Sequence, residues 1–388
     1  MPRAQNIIMR NLPGLRKKAP GAPGPLIATD VERRDGSRPS GPVEPEPDPG
    51  EPWTITESFD DQPDWSGNDN PGTSAFAFLG GNLPVGFDAV RNDPPSWTSE
   101  PSVRITSDPE KTRGGTGKAL QVNRYSASGW NSDGVITKHI PLTERLYLSA
   151  WLKFQPGWTW AGSSKVFRAM YKLKRDQADG YFNYNYGAAD AAEKLPSWLW
   201  NYNHQGESGY RNRPSFRSNA GGTTWNNPAI PGLPRALSNG DLSLNWDADM
   251  RNVNGGIANN NPQIPDLVNG GFLQPGVSAV THDQVLGSEW HRHEFYAEIN
   301  SEQGALDGVF AHWFDGQLIF LNTSVPWVQA NGVMTGWNLI ALGGNSFFTQ
   351  LNDGTPINES DQISEWYAID DVEIRNHLPS HLSLEPMT

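Results

Sequence analysis

The sequence contains no cysteine. Neither disulfides nor thiolate metal sites can hold its fold, and the redox compartment stays open. No run of 18 apolar residues occurs, so there is no candidate membrane helix. The opening MPRAQNIIMRNLPGLRKK has no apolar core ahead of a small-residue cleavage site, and no secretory signal is expected there. Charged residues make up only 19% of the chain, and few stretches keep an apolar period of 3.6 residues, which argues against helices. The net charge of −13 speaks against nucleic acid as the main partner. Neither a glycine-rich phosphate loop nor a nucleophile elbow occurs.

What the chain has in quantity is glycine (40), proline (32) and tryptophan (16). The first two suit short strands joined by long loops. The third exceeds what a core of this size needs and raises the prospect of stacking platforms for sugars or a partner. A length of 388 residues accommodates one large β domain with appendages.

The clearest pattern lies between Trp290 and Phe320. In WHRHEFYAEIN one face takes Trp290, Arg292, Glu294, Tyr296 and Glu298, and the other His291, His293, Phe295, Ala297 and Ile299, the alternation of a half-buried strand. GVFAHWFDGQLIF follows, with Asp315-Gly316 placed for a two-residue hairpin turn. Further strands are expected at TITESFDDQPDW, SVRIT, GKALQVNRY, GVITKHI, RLYLSAWLKF, SSKVFRAMYKLK, YFNYNYG, SWLWNYNHQ, WNLIALGGN and EWYAIDDVEIRNH. In RLYLSAWLKF, Leu146, Leu148, Ala150 and Leu152 share one face. A dozen or more strands with turn signals between them predict an all-β sandwich.

Three segments stand apart. Residues 1–40 hold eight Lys/Arg against three Asp/Glu, a balance of +5, and proline-punctuated GSRPSGPVEPEPDPGEP follows. Residues 1–52 are therefore expected to form an extended arm or linker, unable to bury enough apolar area to repay its ordering entropy. Residues 206–288, poor in charge and rich in Asn, Gly and Pro, are expected to form long functional loops or a small excursion. Residues 377–388 form a polar C-terminal tail beyond the domain, which spans 53–376.

ESFDD near the start, W-x-x-x-E-x-Y-x-x-x-N with DG…HWFDG in the middle, and WYAIDDVEI at the end resemble the concanavalin A-like jelly roll. More narrowly they resemble its polysaccharide-lyase-like branch, which degrades alginate or glucuronan. That resemblance implies a β-sandwich jelly roll with a sugar-binding concave face. It also implies β-elimination, which needs one group to neutralise a uronate carboxylate, a base for the adjacent proton and an acid for the leaving oxygen. It places Lys165 near the family's catalytic lysine and matches Tyr184 and Tyr186 to its tyrosine pair; a cross-strand aromatic ladder is the alternative. The wording around Lys165 differs from that family's.

Glycan-binding candidates are Arg168, Trp158, Trp160, Trp198, Trp200, Tyr202, Arg292 and Glu294, although alternating tryptophans also build cores. On a regular strand Lys165 and Arg168, three apart, point to opposite faces. His291 and His293 alternate on one face, where packed or surface histidines are expected rather than a metal pair. Asp60, Asp61, Asp370 and Asp371 lie at the first and last strands, which pair in this fold. They are turn residues in the simpler account, and Asp60 and Asp371 hold a structural Ca²⁺ in the other. No further cofactor is expected.

Three functions remain open. The first, which leads, is a structural protein of a bacteriophage-like virion, a capsid decoration or fibre subunit. It docks on assembly partners through residues 1–52, forms an oligomer, and displays a sandwich that binds cell-surface glycan. The second is a lyase acting on a uronate polymer. The third is a non-catalytic carbohydrate-binding module.

Overall fold

The computed structural model describes residues 51–384 except 70–76, 79–81, 127–132, 160–162, 172–195, 306, 326, 329–332, 345, 348, 352 and 359; within 205–288 it describes only 210–217, 224–226, 234–236 and 243–245. All of these lie in the unit Glu46–Thr388. Expectations that fall on residues 1–50, Tyr184, Tyr186 and Trp160 therefore lie outside the described residues.

Among the described residues twenty strands, numbered along the chain, build two antiparallel sheets and a small ribbon. From edge to edge the first sheet runs β17 (Gln317–Val325), β16 (Gly308–Phe314), β15 (His291–Glu298), β8 (Arg145–Phe154), β20 (Ser364–Arg375), β6 (Ala119–Tyr125), β5 (Val103–Thr106) and β2 (Trp65–Ser66). The first strand, β1 (Thr54–Glu57), pairs with the last, β20. The second sheet runs β14 (Ser243–Asn245), β11 (Tyr210–Arg217), β10 (Ser197–His204), β9 (Ser163–Met170), β18 (Trp337–Gly344), β7 (Asp133–Thr143), β4 (Ala89–Asp93) and β3 (Ala77–Phe78), with β19 (Ser346–Phe347) against β9. β12 (Thr224–Asn226) and β13 (Pro234–Ala236) form the ribbon.

The apolar faces of the two sheets meet in one core. Leu146, Leu148, Ala150 and Leu152 of β8, Leu120 and Val122 of β6, Tyr367 and Ile369 of β20 and Phe295 of β15 come from the first sheet. Val166, Phe167, Ala169, Trp198, Trp200, Ile340 and Leu342 come from the second. Alternation along each strand produces this packing, as expected for β8 and β15. The hairpin between β16 and β17 turns at Asp315 and Gly316, both left-handed (φ 48° and 78°), the backbone that a two-residue turn requires.

Two expectations need correction. Residues 206–288 are not all loop: β11 and β14 extend the second sheet beyond β10. Pro214 is tolerated in β11 because β14 pairs only with Ser215–Arg217, so no ladder bond is lost on that side. The C-terminal tail is not merely polar either. Leu378, Leu382 and Leu384 pack on Tyr147, Tyr296, Ala311 and Trp313, covering the outer face of the first sheet.

His293 of β15 and His312 of β16 are core residues, whereas His291 pairs with Asp315 nearer the surface. His293 and His312 face inward, with Nδ1 of His293 3.1 Å from Nε2 of His312 and the Trp200 ring 4.7 Å from that of His293. Burial pushes the His312 imidazole from 6.5 down to about 3 and lowers His293 too, aided there by the neighbouring His312. Below pH 6.5 the unfolded chain therefore binds more protons than the folded one. Stability is full above that pH and falls away toward pH 3. Replacing both rings, His293→Phe with His312→Phe, is expected to flatten this acid dependence. Urea midpoints measured across the window test it, and equal slopes in variant and parent would defeat it.

Candidate active site

The outer face of the second sheet is organised by a bulge in β9. Asn201 pairs with Lys165 but Trp200 pairs with Phe167, so Val166 is the extra residue. Ser164 turns inward, its Oγ accepting from Arg124 at 3.1 Å. Val166 and Phe167 both enter the core. Lys165 and Arg168 are left on the same outer face, together with Met170. This corrects the regular-strand expectation that the two cations point apart: a bulge resets the alternation by one residue. Lys165 is 8% exposed and Arg168 4%, and both are engaged in polar or charged contacts.

Neighbouring strands complete the face. Arg168 lies in register with Ala341 of β18, Ala341 with Thr137 of β7, and Thr137 with Ala89 of β4. One step along, Gly343 is in register with Val135 and Val135 with Arg91. In the other direction Met170 matches Leu339, and Leu339 matches His139. Ala341 stands at the centre of the face, and β18 continues past it as Gly343 and Gly344. A Cβ at Gly344 would stand 2.7 Å from Cβ of Lys165, and one at Gly343 (φ 88°) 2.1 Å from the carbonyl oxygen of Gly134. Both positions therefore require glycine.

Charged groups flank this stretch. Arg91 reaches Asp93 at 3.4 Å, and burial raises the Asp93 carboxyl above the usual range, opposed by Arg91. Asp88 Oδ2 accepts from the backbone N–H of His139 at 2.7 Å and lies 3.3 Å from its Nδ1. Cations on a water-poor sheet face stabilise an anion far better than they do in bulk water. The arrangement is chemically suited to hold a carboxylate beside Arg168 and Lys165 and to stabilise negative charge developing there. Arg91, Thr137 and His139 carried no local sequence signal, because only the β4–β7–β18–β9 adjacency brings them to this face.

Other candidates do not join it. Trp158, Trp198 and Trp200 are core residues, at most 2% exposed, and form no sugar-stacking wall. Trp198 lies 5.3 Å from Phe295, Trp200 5.7 Å from Phe167 and Trp158 4.9 Å from Phe154, ring to ring. Tyr202 is in register with Ser164, and its side chain lies outside the described residues. Arg292 and Glu294 occupy the opposite side of the sandwich, on the outer face of the first sheet. There the Tyr147 hydroxyl donates to Glu294 Oε1 at 2.6 Å, and Arg292 Nη2 donates to the Tyr147 oxygen at 3.1 Å. Buried under the C-terminal segment, Glu294 (0% exposed) cannot share a groove with Lys165.

Asp60, Asp370 and Asp371 do come together, but protein donors engage all three. Asp60 accepts from the Lys118 N–H, Asp370 from the Arg113 and Asp371 N–H groups, and Asp371 pairs with the Arg113 guanidinium. Burial pushes Asp370 up to about 7. Among the described residues no group of three or more acidic or histidine side chains is placed to hold a metal ion.

No family model matches the chain, and no curated protein does. Among solved structures it is similar to a variant of alginate lyase Aly36B bound to alginate trisaccharide, with 10% identity, 83% of this chain and 97% of that chain covered, and a TM-score of 0.42. It is also similar to alginate lyase vAL-1 from a Chlorella virus (10% identity, 67% and 85% covered, TM-score 0.40). A third is endo-β-1,4-glucuronan lyase from the fungus Trichoderma reesei (12%, 77% and 93%, TM-score 0.35).

Proposed function

We propose that the chain cleaves a uronate polymer by β-elimination on the outer face of the second sheet. One observation carries this reading: the Val166 bulge sets Lys165 and Arg168 side by side on a sheet face of an otherwise acidic protein. A guanidinium fork is matched to a planar carboxylate, so Arg168 binds and neutralises the uronate carboxylate. Lys165 supports the negative charge that builds up as the carbon beside that carboxylate loses its proton. The glycosidic C–O bond at the next carbon then breaks, a carbon–carbon double bond forms, and the leaving oxygen takes up a proton. The sequence resemblance assigns the proton-transfer roles to Tyr184 and Tyr186.

The test is direct. Incubation with polymannuronate, polyguluronate and polyglucuronate is expected to generate ultraviolet absorbance from the new conjugated double bond on at least one polymer. Tight binding without absorbance on any of them would leave a carbohydrate-binding module in its place.

A role in a virion particle is a second proposal, favoured by the basic residues 1–40 ahead of an acidic, proline-rich stretch. In that reading residues 1–52 dock on capsid or other assembly subunits, and the sandwich faces outward. Deleting residues 1–52 is expected to release the protein from its source complex while far-ultraviolet circular dichroism keeps the β signature. Equal proteolysis of the arm in the free chain and in the source complex would make it a linker.

A further inference from the structure

We infer that the outer face of the first sheet carries a second, non-catalytic binding site, where Trp366, Trp151 and Lys153 hold a uronate polymer on the side of the sandwich away from Lys165. The choice of polymer rests on the lyase reading above, to which this site adds an anchor for long chains.

Alternation builds the site. Tyr367 and Ile369 of β20 and Leu152 of β8 point into the core, which turns Trp366, Ala368, Trp151 and Lys153 outward. Ala368 is in register with Lys153, and Asp370 with Trp151. Trp366 therefore stands four residues along and one strand over from Trp151, with the two backbones roughly 14 Å apart. Ala368 and Lys153 lie between them. Both indoles are half-buried, unlike Trp158, Trp198 and Trp200 in the core. The C-terminal leucines cover this face further along β8, at Tyr147.

Two features point to an acidic sugar. The first is the pair of indole N–H groups. Those of Trp65 and Trp327 donate to carbonyl oxygens, and those of Trp53, Trp198 and Trp337 are buried. Among the described residues the N–H groups of Trp151 and Trp366 have no acceptor and are not buried. Each can donate to a hydroxyl while its ring packs on a pyranose face. The second feature is charge. Lys111 and Lys153 place Nζ 5.4 Å and 6.0 Å from the Trp366 ring centre, and the Arg113 guanidinium lies 4.7 Å from that of Trp151. Asp108 pairs with Lys111, and Asp371 with Arg113. Among the described residues Lys153 Nζ meets a backbone carbonyl oxygen, that of Glu110 at 2.8 Å, and no carboxylate, so its charge is available to a uronate. Cation–π contact accounts for ammonium groups beside a ring. It does not account for two unused indole donors on one sheet face.

The experiment uses the full chain in native gels cast with polymannuronate, polyguluronate or polyglucuronate, and with neutral hydroxyethylcellulose as the control. At least one uronate polymer is expected to retard the protein. Trp366→Ala and Trp151→Ala are each expected to weaken that retardation about tenfold, the loss of one strong contact. Lys153→Met is expected to weaken it too, and Lys153→Arg to keep most of it. The same factors are expected in a Lys165→Met background, because effects at distant sites add. Thermal melting of each variant separates lost contacts from lost fold. Retardation that none of these substitutions weakens, losses that vanish in the Lys165→Met background, or equal retardation by the neutral polymer overturns the site. So does the absence of retardation by all three uronate polymers. Trp366-dependent retardation without absorbance from any polymer strikes the lyase reading and leaves this site standing. Absorbance without Trp366-dependent retardation does the reverse.

Discussion

Lys165→Ala is expected to bring the absorbance formed from a uronate polymer down by about 10³-fold or more, the range spanned by a lost acid–base or charge-stabilising group. Elimination places negative charge on the carbon next to the carboxylate before the leaving oxygen departs. Lys165 and Arg168 are the two cations that the β9 bulge brings to the same face, opposite positions two apart on β10. Buried at 8% and 4% exposure, they act where water screens poorly, so removing one is felt strongly. The same burial makes alanine an ambiguous variant, since it also deletes a packed aliphatic stem. Lys165→Met keeps that stem and removes only the charge, and it is expected to be as inactive while melting close to the parent. Arg168→Lys keeps charge but loses the fork, and is expected to fall by about 10²-fold. A fully folded Lys165→Met that still raises the absorbance at the parent rate would remove catalysis from this face.

Most of the sandwich could be read from alternation, because period 2 assigns every side chain of a regular strand to a face. The three-strand unit from His291 to Val325, its Asp315–Gly316 turn and the inward row of β8 follow from local pattern, while the pairing of β1 with β20 is implied by the resemblance alone. The site did not follow, because it depends on a break in the pattern. Val166 and Phe167 are adjacent apolar residues, the one local hint of a bulge, yet a bulge is defined by the partner strand. Neither β10 nor its register can be inferred from β9. Tryptophan numbers misled for a different reason. Trp198 and Trp200 alternate equally well on a wet face and a dry one, and only the opposing Phe295 and His293 decide which. Glu294 alternates with residues of a polar face, and that face is covered by Leu378, Leu382 and Leu384 at the far end of the chain, with His381 3.5 Å from the Glu294 carboxylate.

Glu365→Ala is expected to cost about 3–5 kcal/mol of folding stability, because it removes the counter-charge of a buried arginine. Arg124 follows Leu120 and Val122 on the inward face of β6 and is 1% exposed. Its guanidinium pairs with Glu365, donates to the Thr159 carbonyl oxygen at 2.5 Å and to Ser164 Oγ at 3.1 Å, and lies 3.8 Å from the Trp158 ring centre. Glu365 in turn accepts from the Thr159 N–H at 2.9 Å and its hydroxyl at 2.6 Å. Burial lowers the Arg124 pKa, and the Glu365 charge opposes that. Without Glu365 the cation loses the counter-charge that offsets its desolvation. The double change Arg124→Met with Glu365→Leu removes both charges at similar volume, and is expected to be far less damaging than Glu365→Ala alone. Urea unfolding of the three proteins measures the difference. A single variant within 1 kcal/mol of the parent would mean that water reaches this end of the core. The effect is expected to extend to chemistry as well. Arg124 holds Ser164, the residue next to Lys165 at the start of the bulge, so Glu365→Ala should lose turnover even at temperatures where it remains folded.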